Sequence, residues 1–365
     1  MSKRNRSPKP RTRGSFMKHR FVSPVFGLKI CGLLASLFVS LGPVVAHAQS
    51  EPVAVRFTVQ PRTLVTTLVE VAVEQGFFKE EGIEPEMVTV ANGPAAVTAL
   101  ASGAVDVATN APEVFVALAS KGHSLKLIAG GAKQLGMLIA RPGFEFPKDF
   151  PDSVASLKGK KIGVTALSSA TQYLTIMMLE KAGLGASDVE FVAVGPTPSQ
   201  ALANHVIDVA FVTGPDVVVS QSLGAKVMVD LHSPDKCPSQ LDVCGIGQVG
   251  MWATGSWIES NTAIVDKIRR AIAKADVFLH DPANAEKARE VILVQIPADS
   301  SDEMKKDYEN YALPLLSAAF APEDLARWIE VDTSAGVISN PLDVATVYAE
   351  GTPANEDMVR ELASE

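Results

Sequence analysis

The chain has 365 residues, with 33 Lys and Arg against 41 Asp and Glu and a formal charge of −8. That acidic balance excludes a nucleic-acid or anionic-membrane surface as its main partner. The length, with 47% hydrophobic residues, suits two domains of ordinary size rather than one.

Residues 1–48 hold nine Lys and Arg and no acid, an apolar run "ICGLLASLFVSLGPVV" at 30–45, and "AHA" just before Gln49. A basic start, an apolar stretch and a small-residue site together predict a secretory signal peptide cut near Ala48/Gln49, and hence a periplasmic protein. The run is short for a membrane span. Cys31 stands ahead of most of it, where a lipid-anchor cysteine would follow. No adjacent Arg pair marks a twin-arginine route, so general secretion is expected, with Met17 as an alternative start. Without this segment 24 basic residues face 41 acidic ones, a charge of −17.

From Val53, "VAVRFTVQ" alternates like a strand, and "TLVTTLVEVAVEQGFFKEEG" carries Leu64, Leu68, Val71 and Phe78 at helical spacing up to Gly82. "IEPEMVTV" reads as a strand, "GPAAVTALASG" as a short helix ended by Gly103, and "AVDVATN" as a strand. "APEVFVALASKG" starts a helix with Pro112 early and Glu113 in its first turn, where a carboxylate complements the helix dipole. "LKLIAGG" and "LGMLIAR" are strands.

The order then begins again. "KGKKIGVTA" is a strand, "SSATQYLTIMMLEKAGL" a helix, "VEFVAV" a strand, "GPTPSQALAN" a helix and "VIDVAFVTG" a strand. "GPDVVVSQSLG" repeats the Pro-then-acid helix start with Pro215 and Asp216, and "KVMVDL" closes the unit. Residues 93–108 and 195–210, 102 positions apart, agree at eight of sixteen positions without a gap. Alternating strands and helices predict parallel α/β sheets, and the repeat predicts two similar lobes. His205 stands where the first copy has Gly103, so that turn is expected to differ in the second lobe.

"IGQVGMWATGSWIES" reads as a strand crossing back to the first lobe. After it, "TAIVDKIRRAIAKADVFLHDP" has Ile264, Ile268, Ile272 and Phe278 on one side of a helix. Further helices follow, and all are expected to pack on the first lobe. Crossings are placed near 141–148 and 243–250. The expected division is a signal peptide at 1–48, the first lobe at 49–143, the second at 144–243, and a return with C-terminal helices at 244–365.

Cys237 and Cys244 share the polar loop "HSPDKCPSQLDVCG". In an oxidising compartment they read as a disulfide. A metal site would add His232 but finds no fourth ligand nearby, so no metal is expected.

"EQGFFKEEGIEPEMV" followed by "GPAAVTALASGAVDVA", with "SVASLKGKKIGV" and "MWATGSWIESN" later, resembles the solute-binding proteins of the nitrate/sulfonate/taurine ABC importers. The resemblance spans about residues 53–350. It implies a two-lobed periplasmic binding protein fold of type II, with two crossover strands as the hinge. It further implies a monomer that closes on a small-molecule ligand and presents it to an inner-membrane ABC permease, without a cofactor.

In open α/β sheets ligands sit beyond the carboxyl ends of the strands, facing helix N-termini. That rule selects Gln60, Arg62, Thr63, Asn92, Gly93, Thr109 and Asn110 in the first lobe. In the second it selects Ser168, Ser169, Thr171, Gly195, Thr213 and Gly214. One of the Ser168, Ser169 and Thr171 hydroxyls is expected to cap its helix, and the cluster to hold an oxyanion. Arg62 is expected to bind an oxyanion through its guanidinium, against a solvated side chain or a pairing with Glu113. Glu113 and Asp216 read first as helix-start acids and second as amine ligands. Trp252 and Phe115 read as core.

An enzyme on the same fold is the main rival, but no nucleophile elbow, catalytic triad order or phosphate loop appears. A pyrimidine-binding protein for a thiamine precursor would want several cleft aromatics, and the chain is 6% aromatic. A periplasmic sensor partner would use the same cleft.

Overall fold

A computed structural model describes residues 51–365; the expected signal peptide and its expected cleavage site lie outside the described residues. The strands are β1 (Val53–Val59), β2 (Ile83–Thr89), β3 (Ala108–Asn110), β4 (Leu125–Lys133), β5 (Met137–Ala140), β6 (Lys161–Val164), β7 (Glu190–Ala193), β8 (Val209–Val212), β9 (Lys226–Asp230) and β10 (Gly247–Thr254). β1 pairs with β2 in parallel, Phe57 bridges Val107 just before β3, and β10 runs antiparallel between β3 and β4. The first lobe is thus ordered β2-β1-β3-β10-β4. The second sheet is ordered β7-β6-β8-β5-β9, with β5 antiparallel to both neighbours. The two orders coincide once β6 to β9 are set against β1 to β4 and β5 against β10.

Each lobe is therefore completed at its fourth position by a strand running against the other four. The sequence reading grouped "LGMLIAR" with the first lobe, but β5 pairs in the second sheet. The first crossing is accordingly the three-residue link Gln134–Gly136, ahead of the expected 141–148. The return link spans 231–246. The two links are hydrogen-bonded to each other, Gln134 N–H to the Ile246 carbonyl at 2.9 Å and Leu231 N–H to that of Gly136 at 3.1 Å.

The repeated segments do the same work in both lobes. The Asp106 carboxylate accepts from the Arg56 N–H of β1 at 2.9 Å, and the Asp106 N–H returns a bond to the Arg56 carbonyl. Asp208 stands in the same relation to Lys161 of β6, at 3.1 Å and with the same return bond. Gly103 has φ 72 and His205 φ 58. Both ends carry the same pair of closing bonds: Gly103 N–H to Leu100 and Ala104 N–H to Ala99, matched by His205 to Leu202 and Val206 to Ala201. The turn does not differ, contrary to expectation. Its hydrogen bonds hold His205 in the left-handed region that a glycine would occupy at no steric cost.

The expected helix over 63–82 is interrupted at Gly76, whose φ of 82 separates Thr67–Glu74 from Phe77–Glu80. Helix Thr262–His280 buries Ile268, Ala271, Ile272 and Ala275 against the first lobe, and Glu356–Ser364 packs on it. Helix Asp302–Ala312 departs from the expectation: it packs on Pro215–Ser222 of the second lobe as well. Phe115 and Trp252 are buried and stacked at 4.9 Å, as core residues. Cys237 and Cys244 form a disulfide within the return link.

His205 is exposed and stands apart from the residues that line the cavity between the two sheets. Replacing it with glycine relieves the left-handed strain, so His205→Gly is expected to raise unfolding stability by up to about 1 kcal/mol in denaturant titrations. A loss of stability would show that the histidine ring, not the backbone, governs this turn.

Candidate functional site

A cavity of about 410 Å³ lies where the carboxyl ends of both sets of parallel strands face each other. Its walls come from equivalent loops, those after β1, β2 and β3 on one side and after β6, β7 and β8 on the other. Gln60, Arg62, Thr63, Asn92, Gly93 and Asn110 line it from the first lobe. Ser169, Thr171, Gly195 and Thr213 line it from the second.

Three expected residues do not line it. Thr109 is buried with its hydroxyl unpartnered, because successive strand residues face opposite ways and its neighbour Asn110 takes the cavity side. Ser168, at φ 60, gives its N–H to the Gln172 side chain at 2.6 Å. Gly214, at φ 59 and ψ −134, gives its N–H to the Tyr311 hydroxyl at 2.9 Å.

The hydroxyl cluster is organised differently from a helix cap. Ser169 holds the N-cap position of Ala170–Lys181, yet its hydroxyl bonds to the Ala166 carbonyl at 2.7 Å and caps nothing. It joins Thr171 at 2.8 Å and Thr165 at 3.2 Å, while Thr171 accepts the Thr165 N–H at 3.0 Å. The Ala170 and Thr171 N–H groups have no protein partner among the described residues, and both residues line the cavity.

Arg62 and Asp216 are the charged side chains of the lining, one from each lobe. Arg62 sits at φ 62, exposed, and makes no ion pair among the described residues. A non-glycine residue in the left-handed region is uncommon and costs backbone strain. Burial pushes the Asp216 carboxyl up, opposed by hydrogen bonds from Ser199 and by the charge of Arg62. The floor is apolar, with Leu135, Leu174, Val212 and Phe211; Phe211 is the aromatic side chain of the lining.

Gln248 and Gln295, which sequence reasoning did not select, also line the cavity. The Gln248 carbonyl oxygen accepts the Leu135 N–H at 3.1 Å, leaving its NH2 without a protein partner among the described residues. Gln60 presents a buried, unpartnered NH2 as well. Each amide of the Gln248 and Gln295 pair interrupts an apolar run, "GQVGMWAT" and "VILVQIPA". A lone polar residue in a buried run was the available signal.

Glu113 lies outside the cavity, wholly buried, and does not pair with Arg62. Neither its oxygens nor those of buried Asp332 find a partner among the described residues. Burial raises Glu113 to about 8, and burial with the charge of Glu113 raises Asp332. Tyr173 packs beside both, its phenol raised chiefly by burial and further by their charges.

Two such lobes, with loops converging on one cavity from the carboxyl ends of parallel strands, define the two-lobed periplasmic binding protein fold. The chain belongs to the NMT1/THI5-like family, whose sequence model matches residues 65–285. A structure from Bordetella bronchiseptica RB50 shares the fold with TM-score 0.68 at 23% identity, covering 86% of this chain and 98% of its own. The alkanesulfonate-binding protein SsuA of Xanthomonas axonopodis pv. citri, bound to MOPS, gives 0.65 at 14% identity over 82% and 99%. The nitrate-binding protein NrtA of Synechocystis PCC 6803 gives 0.64 at 13% identity over 86% and 89%. A Brucella abortus protein named "Putative binding protein" is 31% identical over 179 residues, 49% of this chain and 53% of its own. The chain spans about half the length of the curated relatives it matches. The curated relative and the two transport-related neighbours are each named as binding proteins. Among the described residues no helix is long and apolar enough to cross a membrane.

The buried acids make stability depend on pH with a definite sign. Unfolded, a glutamate releases its proton near pH 4.3; folded, Glu113 keeps it to about pH 8. Between those limits the unfolded state binds fewer protons, so stability is greatest below the window and falls as pH rises through it. Urea unfolding from pH 4 to pH 9 is expected to show this fall, at most about 1.4 kcal/mol per pH unit for each proton. Glu113→Gln is expected to flatten it and to exceed the parent in stability at the alkaline end. An unchanged slope in the variant would place the proton elsewhere.

Proposed function

We propose that the protein captures a small organic oxyanion, of the sulfonate, taurine, nitrate or carboxylate kind, in the periplasm and delivers it to the permease of an ABC importer. The observation that carries this reading is the excess of unused donors around the cavity. The Arg62 guanidinium, the Gln248 NH2 and the Ala170 and Thr171 N–H groups belong to residues of its lining and have no protein partner among the described residues. Donors preset around a desolvated space favour an anion, and a guanidinium takes two of its oxygens at once. The apolar floor suits a short carbon chain. Asp216, across from Arg62, favours a solute with a hydrogen-bond donor at its far end.

A pyrimidine is less well served, because Phe211 is the one aromatic residue of the lining among the described residues. Solute-driven closure of two lobes follows when one solute contacts both walls.

A thermal-shift screen across sulfonates, taurine, nitrate, carboxylates and pyrimidines tests the reading. A solute at a hundred times its dissociation constant adds about 2.7 kcal/mol of stability. An oxyanion is expected to give that shift, and Arg62→Ala to abolish it. Stabilisation by pyrimidines or amines alone would overturn the oxyanion assignment.

A further inference from the structure

We infer that Tyr311 is a positioning residue that fixes the second lobe's solute loop to the link between the lobes, and so sets the lobe angle. Tyr311 lies on helix Asp302–Ala312 and is buried. Its hydroxyl accepts the Gly214 N–H at 2.9 Å and donates to the Leu135 carbonyl at 2.5 Å. Gly214 is flanked by the cavity residues Thr213 and Pro215. Leu135 is the middle residue of the first link and lines the cavity itself. Its N–H is taken by Gln248, a further cavity residue.

One turn earlier on the same helix, the Tyr308 hydroxyl donates to the Gln295 carbonyl oxygen at 2.5 Å. The Gln295 NH2 donates in turn to the Thr67 hydroxyl at 3.0 Å, on the first lobe's helix Thr67–Glu74. The helix therefore grips the first lobe through Tyr308 and the second through Tyr311, and both grips end in the cavity wall. Rotation about the links changes the distance from Gly214 to Leu135. A single hydroxyl satisfies both only near the present angle, and losing it strands a buried donor and a buried acceptor. Such a contact makes the lobe arrangement discrete rather than continuous.

Because the brace is complete without solute, it is tested without one, independently of which solute the cavity takes. Nitroxide labels at Glu84→Cys on β2 and Glu190→Cys on β7, both exposed edge positions, report the interlobe distance by pulsed electron paramagnetic resonance. Tyr311→Phe is expected to add a second, longer-distance population to the single one of the parent. Tyr348→Phe removes a hydroxyl bonded to the Phe320 carbonyl at 2.7 Å, neither residue being part of a link; it is expected to lower the melting temperature and leave the distances unchanged. A Tyr311→Phe distribution superimposable on the parent's overturns the proposal, whatever its melting temperature. Should that variant not fold, Tyr308→Phe releases the first-lobe grip of the same helix. The same broadening is then expected, and an unchanged distribution overturns the proposal equally.

Discussion

The arrangement of the molecule depends on one exchange of strands. Each sheet holds four parallel strands and one reversed strand, and the reversed strands β5 and β10 are where the chain leaves one lobe and re-enters it. Because both sit at the fourth position of their sheets, the two links run side by side and bond to each other. The parallel strands of both lobes then end towards the same space. The cavity is a consequence of that topology, since helices following parallel strands must present their first turns there.

Within this frame the division of labour is physical. Aspartates of the repeat are spent on strand backbone: Asp106 on Arg56 and Asp208 on Lys161. Their recurrence therefore speaks for architecture, not for ligand chemistry. The unused donors stand elsewhere, Arg62 in the loop after β1, the Ala170 and Thr171 N–H groups at the helix start after β6, and Gln248 on β10. Arg62, in a backbone conformation that favours glycine, stands among them. The serine and threonine hydroxyls after β6 are largely bonded to one another. Their contribution is a rigid wall around the Ala170 and Thr171 N–H groups.

Much of this was legible in the sequence. A gapless echo 102 residues long in spacing announced two lobes, and the strand-end rule pointed to the loops that line the cavity. Other features were hidden for identifiable reasons. "LGMLIAR" reads as a strand, but nothing in it tells which sheet it joins, and a three-residue link leaves no boundary to see. Thr109 and Asn110 are adjacent, and alternation says that they face opposite ways without saying which faces the solute. The left-handed turn at His205 is held by backbone bonds that no residue type signals. The partnership of Tyr308 with Gln295, and of Tyr311 with Gly214, joins segments far apart in the chain. Burial of Glu113 beside Asp332 depends on a C-terminal helix that carries no mark of its destination.

The central claim is that one anion is held between the lobes with Arg62 as its charged anchor. A crystal structure of the protein grown with the oxyanion that gives the largest thermal shift tests it most directly. The account predicts the anionic oxygens within hydrogen-bond distance of the Arg62 guanidinium and of the Ala170 and Thr171 N–H groups, so that a single solute touches both lobes. A solute held by one lobe alone, or with its anionic end turned away from Arg62 towards Asp216, would contradict it.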